Sequence, residues 1–180
     1  MTSEPAQAFD LNEEMVGIIE TEFGPDALRK ELRAAKPTDN ETFFADFGRR
    51  WMERTLDLGE KYSDRTYEVL TEAVAKTGHY AFPFLGERSV EIAYLSTQPI
   101  YTLPIVENCA GGLVFKMPFC EFFRVTREEL GEDAATRLDC KAGCLTACRL
   151  AFERKGFKVS VGMDATMPAN EYCQFAIRPA

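Results

Sequence analysis

The stretch "FKVSVGMDATMPANEYCQFAIR", from Phe157 to Arg178, contains two runs in which apolar and polar side chains alternate. The runs are "FKVSVGMDA" and "EYCQFAIR", and a period of two is typical of β-strands that have one buried face. The connection between them, "TMPAN", suits the turn of a hairpin. We therefore predict two antiparallel strands in this stretch.

Upstream of the hairpin the sequence predicts one strand and two helices. The segment "AGGLVFKMPF" looks like a strand that enters from a glycine turn, with Cys109 just before it at the strand start. "CEFFRVTREELG" and "LDCKAGCLTACRLAFERKGF" predict helices that end at Gly131 and Gly156. Three prolines punctuate residues 81–104, which we interpret as strand or loop with one short helix.

The first 80 residues have the periodicity of helices. Asp10 and Glu13 have the spacing of a capping box, and "GPDALRKELRAAKP" predicts a second helix between its two prolines. A third helix over residues 38–61 and a fourth from Ser63 to Gly78 follow. The large side chains that share one face of the third helix are Phe44, Phe47, Trp51 and Leu58. Such aromatic stripes are typical of a packed core.

Together these patterns predict an α+β fold. An N-terminal helical part, residues 1–80, is followed by a small, mainly antiparallel sheet with two helices in the cysteine-rich residues 81–180. A chain of 180 residues is long enough to bury a real core, and we expect one domain over residues 1–180.

Composition and charge exclude several classes of partner. The formal net charge is -8, whereas phosphate binding needs clustered Lys and Arg, so no nucleic-acid partner is expected. No stretch approaches the roughly 20 apolar residues of a membrane helix, and "MTSEPAQAFD" does not resemble a secretory signal. We therefore expect a soluble, cytoplasmic protein without a membrane partner, whose cysteines are mostly reduced.

Three of the six cysteines follow one another at intervals of four residues. On a helix Cys140, Cys144 and Cys148 would drift only about 80° around the axis. Cys148 lies in the middle of an apolar stripe and is expected to be a core residue. Cys140 and Cys144 lie at the first turn, where free backbone N–H groups and the helix dipole lower the pKa of a thiol. We predict that these two cysteines belong to a site.

Other interpretations of the cysteines stay open. Zinc is compatible with the thiolates of Cys120, Cys140, Cys144 and Cys173, but no C-x2-C pair is present and the sequence requires no cofactor. The C-x3-C-x3-C spacing differs by one residue from the C-x3-C-x2-C run of radical iron–sulfur enzymes. A Cys–His pair would have to use His79, which is the only histidine.

Three motifs follow one another over about residues 113–178: "CEFFRVTREELG", "LDCKAGCLTACRLAF" and "GFKVSVGMDATMPANEYCQFAIR". Their order resembles that of the 2-amino-thiazoline-4-carboxylate hydrolase family. Cys120 matches the first cysteine of that pattern, and Cys173, with Phe175, matches the last. The middle cysteine matches Cys140 or Cys144, and either choice places a glycine or an alanine where the family has an aspartate.

The resemblance implies a hydrolase that opens a C–N bond in a small cyclic amidine or amide. Cys140 or Cys144 would then be the nucleophile, and Cys120 and Cys173 would complete the cysteine-lined site as its wall. A thiolate would attack the sp² carbon, backbone N–H groups would stabilise the charge, and water would release the product.

Three charged residues near these cysteines are the candidates for substrate binding. Glu121 and Asp164 are the acids that could accept a proton, and Arg124 could hold a substrate carboxylate through a bidentate pair. Each also has a simpler interpretation as a surface charge; Glu121, for example, lies in the first turn of its helix, where acidic residues are common.

The cysteine-rich hairpin also resembles the small-molecule-binding domain related to four-vinyl reductases. The alternative function is therefore a non-enzymatic module that binds a small molecule or a metal. A third interpretation is a partner protein whose cysteines only fill the core. The expected partner is a small-molecule substrate or ligand, and a homo-oligomer is compatible with the sequence.

Overall fold

The computed structural model of the protein describes residues 13–61, 104–109, 111–154 and 156–180. In these ranges the helices are α1 (Glu13–Phe23), α2 (Pro25–Ala35), α3 (Asn40–Lys61), α4 (Glu121–Leu130), α5 (Glu132–Thr136) and α6 (Lys141–Arg154). The strands are β1 (Ile105–Cys109), β2 (Gly112–Met117), β3 (Val159–Ala165) and β4 (Cys173–Pro179). The predicted α+β class is confirmed. Asp10, the fourth predicted helix, His79 and most of the proline-punctuated segment lie outside the described residues.

Local signals set the ends of α2 and the start of α3. Pro25 occupies the first turn of α2, where its missing N–H costs nothing. The helix ends at Lys36, which adopts a left-handed conformation and donates its N–H to the carbonyl oxygen of Leu32. Asp39 caps α3, because its carboxylate accepts the backbone N–H of Thr42 at 3.1 Å. The second and third predicted helices are confirmed within two residues.

The four strands form one antiparallel sheet in the order β1-β2-β4-β3. The predicted hairpin is confirmed as the β3–β4 pair. In the centre of the sheet Phe115 of β2 lies opposite Phe175 of β4, and their rings stack with centroids 5.1 Å apart. Cys109 precedes β2 at an exposed turn, as predicted, but it also ends β1, a strand that was not predicted, and pairs with Gly112. β1 lacks the alternation of buried and exposed side chains that predicts a strand, because its side chains are all exposed or only partly buried.

An aromatic cluster joins the N-terminal helices to α4. The rings of Phe47 and Trp51 on α3 meet the ring of Phe122 on α4 edge to face, at 5.6 and 5.3 Å between centroids. Phe44, Phe47, Trp51 and Leu58 are all buried, as the stripe on α3 predicted. One hydrophobic cluster runs from these helices into β2 and β4, so both halves of the chain share a core.

Two glycines allow α3 and α6 to cross in close contact. A Cβ atom added at Gly48 of α3 would lie 2.1 Å from the carbonyl oxygen of Gly143 on α6. A Cβ added at Gly143 would lie 2.8 Å from the carbonyl oxygen of Phe44. The side of α6 that meets α3 therefore carries small residues, and Gly143 and Ala147 are both buried. Another side of α6 carries Cys144, which lines a cavity together with residues of the sheet.

None of the helices within the described ranges combines the length and the apolar character needed to cross a membrane.

Candidate functional site

A small cavity lies where α6 and the start of α4 meet the sheet. Its volume is about 10 Å³, which is room for one water molecule. Six of its ten lining residues carry sulfur. The lining residues are Met117, Cys120, Phe123, Leu138, Cys140, Lys141, Cys144, Met163, Cys173 and Phe175. The structure thus brings together the four cysteines that the sequence proposed as site residues.

Each of these cysteines stands at or near the start of a regular element. Cys120 is the residue before α4, and Cys140 is the residue before α6. Cys144 is the fourth residue of α6. Cys173 is the first residue of β4 and pairs with Met117, the last residue of β2. The cavity is therefore built from the ends of four elements, which explains why four thiols meet although they are far apart in the chain.

Burial keeps the cavity thiols protonated. It raises the pKa of Cys120 to about 11, and it raises the pKa values of Cys140, Cys144 and Cys173 as well. The expectation that the helix start lowers the pKa of Cys140 and Cys144 is wrong. An apolar surrounding disfavours a thiolate more strongly than the first turn of α6 favours it, and neighbouring thiols add to the shift.

The hydroxyl of Thr126 lies beside the thiol of Cys140 but does not offset the effect of burial. Thr126 is fully buried on α4 beside Cys140. Its hydroxyl donates its single proton to the carbonyl oxygen of Phe122 at 2.7 Å. The contact with Thr126 lowers the pKa of Cys140 by less than burial raises it.

The structure does not bring the three charged candidates to the cavity. Arg124 donates from two of its nitrogens to one carboxylate oxygen of Glu121 and from the third to Glu128 at 2.6 Å, all along the outer face of α4. Asp164 is exposed on β3. The side chains of β3 alternate between its faces, and Met163, not Asp164, points into the cavity. None of the three side chains lines the cavity. Each is a surface charge, as its simpler interpretation predicted.

The two remaining cysteines lie away from the cavity lining. Cys148 packs against the hydrophobic core, as predicted, and burial raises its pKa to about 12. Cys109 is exposed, and its thiol donates to a carboxylate oxygen of Glu107 at 3.2 Å. These two thiols offer matched controls for any experiment on the cavity cysteines.

Two features of the cavity were missed from the sequence. Lys141 is the cationic residue among the ten that line it, and the residue itself is exposed. Its only sequence signal is its position directly after Cys140. Met117 and Met163 also line the cavity, but no local pattern distinguishes them from ordinary core residues. Lys141 places the edge of the cavity near the protein surface.

Within the described ranges no three or more Cys, His, Asp or Glu side chains are arranged to hold a metal ion together. The predicted zinc set of four thiolates is therefore not preassembled, even though its members line one cavity. A tetrahedral zinc site would need all four sulfur atoms around one point.

Comparison with known proteins finds no match to a family model, to a curated protein or to a solved structure. The resemblance to the 2-amino-thiazoline-4-carboxylate hydrolase family stays a prediction.

Proposed function

We propose that the protein is a non-enzymatic binding module that holds a small, soft ligand in the sulfur-lined cavity. The observation that carries this proposal is the convergence of four cysteines and two methionines, from six positions in the chain, on one cavity. Neutral thiols and thioethers are polarisable and are weak hydrogen-bonding groups, so they favour a soft partner over a hydrated one. The cytoplasm suits such a module, because it keeps thiols reduced.

The dimensions of the cavity restrict how a ligand binds. A volume of about 10 Å³ admits little more than one atom, so a larger ligand must displace side chains. Met117 and Met163 are the lining residues best suited to move, because unbranched methionine side chains adapt their rotamers easily. Entry beside Lys141 follows from the exposure of that residue at the cavity edge.

Methylarsonous acid tests the proposal, since it is small and condenses with two neighbouring thiols while releasing two water molecules. We expect the reduced, folded full-length chain to take up one arsenical, seen as one mass increment by native mass spectrometry. The Cys109→Ser and Cys148→Ser variants keep the increment, because neither residue lines the cavity. A folded wild-type chain that takes up no arsenical, or takes it up at Cys109 or Cys148, would contradict the proposal.

A ring-opening hydrolase is the second candidate, and the position of Lys141 favours it. Lys141 lies between the cavity and solvent, directly after Cys140, where its ammonium group could hold the anionic group of a substrate. It takes the role that the sequence gave to Arg124, which is engaged by Glu121 and Glu128. In this mechanism Cys140 or Cys144 attacks the ring carbon after losing its proton to the substrate nitrogen.

Residue-by-residue alkylation separates the two candidates. For a binding module we expect iodoacetamide at pH 7 to modify exposed Cys109 at least about 100-fold faster than buried Cys140 or partly buried Cys144, whose thiols stay protonated. Mass spectrometry of peptides at several times gives the rates. Faster modification of Cys140 or Cys144 than of Cys109 would favour the hydrolase and justify a screen of cyclic amidines and amides.

A further inference from the structure

The chemistry of the cavity lining points to a particular class of ligand. Its possible metal donors are sulfur atoms, with the amine of Lys141 as the one other side-chain donor among the ten lining residues. No carboxylate or imidazole belongs to this lining. Thiolate and thioether sulfur selects soft ions such as Cu(I), whereas Mg²⁺, Ca²⁺ and Mn²⁺ prefer oxygen donors.

The number of donors that each soft ion requires further restricts which ion the cavity can bind. Zinc needs four donors in a tetrahedron, and no group of three or more donor side chains is assembled among the described residues. A monovalent d¹⁰ ion such as Cu(I) or Ag(I) requires fewer donors, because two thiolates on opposite sides of the ion complete its coordination. Four thiols line the cavity, which is two more than this coordination requires.

We propose that the cavity is a binding site for Cu(I), held by the thiolate of Cys120 together with that of Cys140 or Cys144. Met117 and Met163 flank the ion as thioethers. This inference rests on the proposed binding function and names its ligand. Cys120 is the shared ligand because it comes from the start of α4, whereas Cys140 and Cys144 both come from the start of α6.

The charge balance of the bound state involves Lys141. Binding converts Cu(I) and two thiols into an anionic dithiolate complex and releases two protons to solvent, with no change in oxidation state. The complex carries a single negative charge in an apolar surrounding, and such a charge needs a nearby cation. Lys141 is the cationic residue of the lining, and its exposed, flexible side chain would turn its ammonium group towards the complex.

The test uses the reduced full-length chain under anaerobic conditions with Cu(I) in competition with the chromogenic chelator bicinchoninate. We expect one Cu(I) per wild-type chain and the same affinity for Cys109→Ser and Cys148→Ser. Cys120→Ser is expected to bind at least roughly 100-fold more weakly, since even indirect partners of a metal ligand are worth 10–100-fold. Lys141→Gln, at an exposed residue, is expected to bind several-fold more weakly.

Several outcomes would overturn the Cu(I) site. These are the absence of retained Cu(I) in the folded wild-type chain, equal retention by folded Cys120→Ser, and loss of retention in Cys148→Ser or Cys109→Ser. Circular dichroism establishes whether each variant is folded. If Cys120→Ser does not fold, the affinity of Lys141→Gln for Cu(I) tests the site instead, and an affinity equal to that of wild type would overturn it. Uptake of methylarsonous acid without Cu(I) would overturn this inference and leave the binding function standing. Failure of both reagents would overturn both.

Discussion

The Gly48→Ala variant is expected to lose about 3 kcal/mol of unfolding free energy or more. The added Cβ atom would lie 2.1 Å from a backbone oxygen of α6, and a backbone atom cannot move aside as a side chain can. The two helices must separate, which loosens the packing along their whole contact. Urea unfolding followed by circular dichroism measures the loss.

Gly17 supplies the matched control for this substitution. It also lies inside a helix, but a Cβ atom added there meets no other atom within 4 Å. Gly17→Ala is therefore expected to gain about 0.5–1 kcal/mol from the better helix propensity of alanine. Gly143→Ala, with its closest approach at 2.8 Å, should lose stability as well. Equal stability of Gly48→Ala and wild type would show that α3 and α6 do not cross this closely.

The second large effect is a loss of stability at alkaline pH in the reduced, metal-free protein. Burial raises the pKa values of Cys120, Cys140, Cys144, Cys148 and Cys173. The unfolded chain loses its thiol protons above about pH 8.5, whereas the folded chain keeps them to higher pH. Each such thiol stabilises the fold fully below pH 8.5, and its contribution falls by about 1.4 kcal/mol per pH unit above it.

The pKa of Cys120 is raised to about 11, so its contribution to the unfolding free energy falls by roughly 3 kcal/mol between about pH 8.5 and pH 11. Urea unfolding at pH 7, 8, 9 and 10 with a reductant present measures the sum over all thiols. Cys148→Ala is the diagnostic variant, because it removes one partly buried thiol of raised pKa that does not line the cavity. Its unfolding free energy should fall less steeply than that of wild type above pH 8.5, by about 1.4 kcal/mol per pH unit. Parallel slopes for the two proteins would mean that Cys148 ionises as easily in the folded chain as in the unfolded one.

The candidate site was predictable in part. The four cysteines of the site were named from motif order and spacing, and the structure places all four around one cavity. The charged candidates were chosen for their closeness in sequence to these cysteines. Residues next to each other in a strand point to opposite faces, so Asp164 is exposed while Met163 lines the cavity. Closeness in sequence therefore identified a segment that lines the cavity but not the side chain that does so.

The ionisation of the thiols was not predictable from the helix pattern. A helix start favours a thiolate by a modest amount, typically about 0.3–1 kcal/mol at an exposed position. Full burial in an apolar surrounding can shift a pKa by several units, which is a larger effect of opposite sign. Burial of Cys140 and Cys144 depends on β4, α4 and the sheet as well as on α6, and no local pattern in α6 reports it.

The sequence by itself determined several regular elements of this protein: the period-two hairpin, the proline-bounded α2, the aromatic stripe of α3 and the cysteine-bearing α6. These depend on residues close together in the chain, so local preferences suffice to predict them. Only the tertiary structure decided that Gly48 meets Gly143, that Lys141 reaches the cavity, and that the cavity thiols stay neutral. Those properties depend on how closely distant segments pack and how much water they exclude, and neither is a property of any one segment.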